Sequence, residues 1–394
     1  MSSTFDAHLS ERGREALRLA EQIGREVAGP CSAAVDAEAR FPVESVAAIR
    51  LAGLLGASVP AEFGGWGLSL TDIAAVSEQL GMFCASAAMV FAMHHIQVAC
   101  LARHHGESAH LADTLRRIAA EGSLVGSATT ERTTGGDIRS STCAVEPDGP
   151  SRFRLVKDAS VLSYGDFVDD VLVTARATPA SPPSDQVIVH VSRPELTLTR
   201  TGEWNALGMR GTESVGFLIE ATGSTERIVS TPYADVSART MVPWAHATWA
   251  ALWTGIAGDA VQRTRAFARH AARSKPGTVP AAATHLVDVY ADYLALRAMV
   301  ATSVADYERH KDDIATIGSA GFALRMAALK LYASRAAGRI VQDCMHICGL
   351  SGYRLDGEYS LGRHLRDLHS ATIMIHNDRI VDGSAKLLCV YKES

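Results

Sequence analysis

The spacing of apolar residues changes period twice along the chain, and that double change limits the folds open to it. From about residue 6 to 120, stretches such as "ERGREALRLAEQIGREVAG" and "SLTDIAAVSEQLGMF" repeat apolar residues at helical intervals. "SAAMVFAMHHIQVACLARHHG" is apolar almost all round, as a helix enclosed by others is. Gly29-Pro30 reads as a helix stop, Pro42 as a helix start, and Ser69 or Thr71 as an N-cap. Between 122 and 235 the segments become short and rich in Val, Ile and Thr ("FRLVKDASVLS", "DDVLVTARA", "SDQVIVHVS", "SVGFLIEA"), with Gly, Pro, Asp and Ser between them. That composition predicts an antiparallel β unit. From about 240 the helical period returns in long segments with short joints, the pattern of a helical bundle. The expectation is an α+β chain in three parts. A helical domain spans 1–121, a central antiparallel β-barrel or sandwich 122–236, and a four-helix bundle 237–394.

Charge and cysteine content remove several function classes. Lys plus Arg number 38 against 43 Asp plus Glu, a net charge of -5 that gives no electrostatic footprint for nucleic acid. "MSSTFDAHLSERG" has no basic start leading into an apolar core, so no secretory signal is expected. No uninterrupted apolar run approaches the roughly 18 residues of a membrane span, and the cytoplasm is the expected location. The 7 cysteines (31, 84, 100, 143, 344, 348 and 389) are scattered and read as buried free thiols. Cys344, His346 and Cys348 invite a metal reading, but on a helix 344 and 348 share a face and 346 does not, so no metal is expected. His94 and His95 lie on an apolar helix, where packing is the ordinary role, although one of them is a candidate for the wall of a substrate cavity.

Five short segments then occur in a telling order: "SVPAEFGGWGLSL" (58–70), "SATTERTTGGDIRS" (127–140), "LVKDASVLSYGD" (155–166), "ALGMRGTES" (206–214) and "MHICGLSGYRLDGEYSLGRHLRD" (345–367). Each is weak alone. Together, on a helix–sheet–helix background, they resemble the acyl-CoA dehydrogenase superfamily over essentially the whole chain. The resemblance implies a flavin, FAD or alternatively FMN, held between the β unit and the bundle. It places Thr129, Thr130, Val161 and Ser163 at the ring, and Gly135 and Gly136 where the backbone passes close to the cofactor. Arg273, His346 and Gly349 fall where an adjoining subunit completes the site, which implies a homodimer or a homotetramer. Two departures are visible: Pro276 replaces a phenylalanine, and His346 a glutamine.

A dehydrogenase of this family also needs a carboxylate to remove the α-proton. Counting nine residues on from Arg366 reaches Ile375, and the second place the family uses falls on Thr248. Neither is acidic. Asp378 stands three residues further, about 4.5 Å along a helix axis, and is the remaining base candidate. Val161 replaces the family's tryptophan over the flavin, and Trp249 an arginine, adding aromatic surface to the expected cavity. Flavin monooxygenases that resemble acyl-CoA dehydrogenases dispense with the base. They take reduced flavin from a partner reductase and react with oxygen at flavin C4a. The preferred expectation is such a monooxygenase acting on a small aromatic or natural-product substrate. Ser163, His376, Asn377 and Asp378 are its catalytic candidates, and His94, His95, Thr248, Trp249 and Ile375 line its cavity. The alternatives are an acyl-CoA or acyl-carrier-protein dehydrogenase with a relocated base, and a non-catalytic flavin-binding homologue.

Overall fold

In the computed structural model, which describes residues 3–135, 137–274 and 279–392, the chain opens with six α-helices. They are α1 (Glu11–Ile23), α2 (Gly29–Glu38), α3 (Val43–Leu51), α4 (Leu70–Gly81), α5 (Ala85–His104) and α6 (Ala109–Glu121). Gly29-Pro30 does not stop the first helix. A π-turn over Gly24–Ala28 carries α1 into α2, with the Gly29 N–H bonded to the Gly24 carbonyl. Pro30 then sits in the first turn of α2, directly behind that π-turn. Ser69 caps α4, and Asp72 completes a capping box. Helix α5 meets the length and hydropathy of a membrane span, but 89% of its most apolar stretch is buried inside the protein, so it is a core helix.

The strands are β1 (Val125–Ala128), β2 (Glu146–Pro147), β3 (Arg152–Leu162), β4 (Asp170–Arg176), β5 (Gln186–Ser192), β6 (Leu196–Arg200) and β7 (Val215–Ser224). They form two sheets, ordered β1-β4-β5 and β2-β3-β7-β6. One pairing departs from the antiparallel expectation, because β1 runs parallel to β4. β1 arrives straight from α6, and the chain crosses through the other sheet before β4, so the two cannot meet as a hairpin. Along β3 Phe153, Leu155, Lys157 and Ala159 point inward. Lys157 therefore takes a core position, which it can hold because its Nζ donates to Glu131 Oε1 at 2.8 Å and to the Thr174 carbonyl at 2.7 Å. Glu131 also accepts from the Thr142 N–H at 2.7 Å, so this buried pair ties the 131–142 loop to the sheets.

The C-terminal part contains α7 (Tyr233–Val236), α8 (Val242–Ser274), α9 (Ala281–His310), α10 (Ile314–Ile317), α11 (Ala320–Cys348), α12 (Leu350–Tyr353), α13 (Gly362–His369) and α14 (Asn377–Leu388). Helices α8, α9 and α11 pack on one another, and α13 and α14 lie on α11. α8 and α11 run in the same direction, since His246 bonds to the Met326 carbonyl and Cys348 to Thr264. α8 also crosses α4 closely. A Cβ on Gly81 would lie 2.5 Å from the Leu252 carbonyl oxygen and one on Gly255 2.0 Å from that of Glu78, so only glycine fits either place. The cysteines are free, but Cys389 is exposed and Cys31 half-buried rather than sealed in the core.

Candidate active site

A cavity of about 610 Å³ opens where α5, α8 and the segment after α13 face the β unit. Its helical walls are apolar: Met89, Met93 and Ile96 from α5, with Val242, Ala245 and Trp249 from α8. The opposite wall carries hydroxyls, from Thr129, Thr130, Ser160, Ser163 and Ser214. The pairing of β3 with β7 slips between Ala159 and Leu162, and this irregularity places Ser160 and Val161 on the cavity. Val161 is left 40% exposed there, an apolar surface that a flat ring would cover.

The hydroxyl wall has a direction. Thr212 donates to the Met209 carbonyl at 2.9 Å, so it accepts from Ser214 at 2.8 Å, and Ser214 accepts from Ser163 at 2.8 Å. Ser163 is left with acceptor lone pairs for whatever occupies the cavity. Thr130 accepts from Ser160 at 2.9 Å. Gly208 sits where α13 passes close to the 204–209 loop, for a Cβ there would fall 2.1 Å from the Arg366 carbonyl oxygen.

Two arginines supply the permanent charge on the wall. Arg366 pairs with Asp36 and donates to the Leu207 carbonyl at 3.0 Å, while Arg379 donates to the Gly135 carbonyl. Among the described residues no Asp or Glu lines the cavity. Asp367 lies buried behind it and accepts the Met209 N–H at 2.7 Å; burial raises its carboxyl to about 6. Ile375, where the family's base is expected, lines the wall with a left-handed backbone at φ 42.

The remaining expected residues divide clearly. Trp249 and Ile375 face the cavity, and His376 lies at its edge with a side chain 54% exposed. His94 and His95 do not reach it. His94 accepts the Val125 N–H at 3.0 Å on Nδ1, so its Nε2–H donates to the Leu55 carbonyl at 2.7 Å. His95 bonds Ser58 at 2.6 Å and the Leu54 carbonyl at 2.9 Å. Burial lowers the His94 ring to about 4, so both histidines are neutral ties between α5, the 54–58 turn and β1. Thr248 is buried and bonds back to the Trp244 carbonyl at 2.8 Å, off the cavity.

Asn377 is turned away as well. Its Oδ1 accepts from Lys330 Nζ at 2.6 Å and its Nδ2 donates to Ser334 at 3.1 Å. Asp378 is 83% exposed beside His376, at 3.5 Å, and does not line the cavity. Gly136 lies outside the described residues. Arg273, His346 and Gly349 are exposed near one end of the bundle, off the cavity; His346 faces out while Cys344 and Cys348 face in, so the three share no site. Sequence reasoning missed Gln97, His369, Arg379 and Lys330. Only the spacing of Met89, Met93, Ile96 and Gln97 on one face of α5 carried a usable signal, and a buried lysine carries none.

Comparison with known proteins fits this architecture. The model "Acyl-CoA dehydrogenase, N-terminal domain" matches residues 10–122, and "Acyl-CoA dehydrogenase, C-terminal domain" matches 237–375. The amino sugar nitrososynthase DnmZ of Streptomyces peucetius is 26% identical over 362 residues, 88% of this chain and 86% of that protein. The probable acyl-CoA dehydrogenase FadE25 of Mycobacterium tuberculosis (strain ATCC 25618 / H37Rv) is also 26% identical, over 90% of this chain and 88% of that protein. Among solved structures, KijD3 in complex with dTDP superposes with a TM-score of 0.86 at 23% identity, covering 99% of this chain and 100% of that one.

Proposed function

Since the chain belongs to the acyl-CoA dehydrogenase superfamily, we propose that it binds a flavin in this cavity and acts as a reduced-flavin-dependent monooxygenase on a small aromatic or natural-product molecule. The observation that carries this reading is the absence of a carboxylate from the cavity wall among the described residues, with Ile375 at the base position. Desaturation of an acyl thioester needs a base within hydrogen-bond reach of the α-carbon. Asp378 is exposed and off the wall, which speaks against the relocated base.

The residues present fit a flavin. Val161 offers an uncovered apolar face, and Ser163 an acceptor for a ring N–H. Thr129 and Thr130 supply further hydroxyl contacts along the same wall. Reduced flavin bound here would activate dioxygen so that one oxygen atom passes to the substrate. Met89, Met93, Ile96 and Met241 keep bulk water from the reacting centre, and the imidazoles of His369 and His376 stand at its edge as hydrogen-bonding groups. Two relatives are in keeping with oxygen chemistry and FMN: one is named a nitrososynthase, and KijD3 has also been solved with FMN and a dTDP-linked amino keto sugar. A separate reductase would supply the reduced flavin. Arg273, His346 and Gly349 are left to reach the cofactor of an adjoining subunit in a dimer or tetramer.

The test begins without oxygen. Oxidised, flavin-loaded protein should keep its visible absorbance when mixed with butyryl-CoA or octanoyl-CoA. After reduction, and with labelled dioxygen and indole as probe, one labelled atom should enter the product. Stoichiometric bleaching of the oxidised flavin by either thioester would overturn the proposal.

A further inference from the structure

Two consecutive residues of α13, Arg366 and Asp367, hold the 204–209 loop from two sides. Arg366 donates to the Leu207 carbonyl at 3.0 Å, and Asp367 Oδ1 accepts the Met209 N–H at 2.7 Å. Gly208 lies between them against the α13 backbone, where no side chain fits. α13 is itself anchored, since His364 meets Asp259 of α8 at 2.7 Å. The loop so held puts Trp204, Leu207 and Met209 on the cavity wall. Met209 turns with a left-handed backbone at φ 49, a conformation that a residue with a side chain keeps only where its surroundings impose it. Its carbonyl is also where the hydroxyl series begins. It accepts the Thr212 N–H at 3.1 Å and the Thr212 hydroxyl at 2.9 Å, and Ser214 and Ser163 follow.

A carboxylate is a costly group for this task. Asp367 is 4% exposed, and among the described residues no cation pairs with it: Arg366 is committed to Asp36, and Arg363 donates to the Phe83 carbonyl at 3.3 Å. The charged and titratable groups that face it are Arg363 and Arg366 on its own helix, Asp36 from α2 and Cys84 ahead of α5. Burial opposes an ionised group left without a partner, while the charge strengthens the bond it accepts. We propose that Asp367 is a positioning residue for the bound flavin: its carboxylate fixes the turn at Met209 and, through Thr212 and Ser214, sets the direction in which Ser163 meets the ring. This role rests on the reading that Ser163 contacts a flavin.

The test is binding without turnover. Flavin-free wild type and Asp367→Asn are titrated with FMN from pH 5 to 8, read by quenching of flavin fluorescence. The amide keeps an acceptor for the Met209 N–H but carries no charge, and the ratio of the two dissociation constants cancels the titration of the FMN phosphate and of the cavity histidines. Burial raises the Asp367 carboxyl to about 6, so the ratio should favour the wild type by about fivefold at pH 8 and approach parity at pH 5. Stability should move the other way. The folded carboxyl keeps its proton to a higher pH than the unfolded one, so what it contributes to stability is present below pH 3.8 and lost as pH rises through 6. Asp367→Asn should therefore be at least as stable to urea as the wild type at pH 8, whereas loss of an ordinary structural group would weaken the fold. A ratio that stays flat with pH while both proteins bind FMN would overturn the positioning role alone, and so would a variant that is less stable or does not fold. A wild type that binds no FMN at any pH would remove the flavin reading and this role with it.

Discussion

Replacing Lys330 by Met should destabilise the protein more at pH 10 than at pH 7, and the difference follows from the environment of one nitrogen. Lys330 is fully buried on α11, and its Nζ donates to the Ile375 carbonyl at 3.0 Å and to Asn377 Oδ1 at 2.6 Å, both uncharged acceptors. Burial, assisted by the charge of Arg335, lowers its pKa from 10.5 to about 8. A neutral amine keeps two N–H donors, one for each acceptor, so loss of the third proton breaks neither bond. The folded pKa is depressed, so between about pH 8 and 10.5 the unfolded chain holds a proton that the folded chain has shed, and stability rises with pH. Below 8 the folded protein carries the whole cost of a buried charge. Each tenfold change in proton affinity is worth about 1.36 kcal/mol, so this lysine contributes about 2 kcal/mol more at pH 10 than at pH 7. The Met variant has no such dependence, and it leaves two acceptors without a donor at any pH, at about 1–3 kcal/mol each. Urea unfolding of both proteins at pH 7, 8, 9 and 10 gives the comparison, and taking their difference cancels the titration of every other group. A difference that stays flat from pH 7 to 10 would show that Lys330 keeps an ordinary proton affinity, and the reasoning fails.

Removing one partner of the buried pair in the β unit by Lys157→Met should cost about 3–5 kcal/mol at pH 7, read by chemical denaturation. Burial pushes the Glu131 carboxyl up, but Lys157 and the Ser141 and Thr142 hydroxyls outweigh it and hold it at about 2. Its stabilisation is therefore present above pH 4.5 and lost as pH falls toward 2, and Glu131→Gln should flatten that part of the acid-unfolding curve. Asp378→Asn should change stability by no more than about 0.5 kcal/mol and leave turnover intact, because the side chain is exposed. A tenfold fall in turnover would restore Asp378 as the base.

The three-part order was legible because period-two and helical spacing are local properties. β3 shows it residue by residue, with burial alternating from Phe153 to Ala159. The π-turn before Pro30 was not legible, since the pairing of Gly29 with Gly24 depends on packing that a Gly-Pro dipeptide does not encode. Within the site, Trp249 and Ile375 were found by counting along motifs, which gives position but not the direction of a side chain. Thr248, one residue from Trp249, therefore looked equivalent, although on a helix it is rotated off the cavity. His94 and His95 were ambiguous for a different reason. What settles a buried histidine is the pair of groups its ring nitrogens meet, and for His94 these are backbone atoms of residues 55 and 125, remote in sequence. Lys330 left no trace because a lone lysine in a helix is ordinarily solvated.

That lysine bears on why the base position holds an isoleucine. Ile375 is β-branched and sits at φ 42, a conformation that costs of order 1–3 kcal/mol and persists only where its surroundings over-determine it. The determinants are visible on both sides. The Ile375 carbonyl is held by Lys330, the next residue but one is clamped between Lys330 and Ser334, and His376 between them caps α14. These bonds run through backbone and neighbours and make no use of the Ile375 side chain. The segment can therefore present any residue of suitable size at that point of the cavity wall, and its chemistry is set by the side chain alone. A carboxylate there would share the cavity wall with the guanidinium groups of Arg366 and Arg379, so electrostatics do not account for its absence. An apolar branch leaves that point of the wall without a proton acceptor, which suits the proposed oxygen transfer and not α-proton removal.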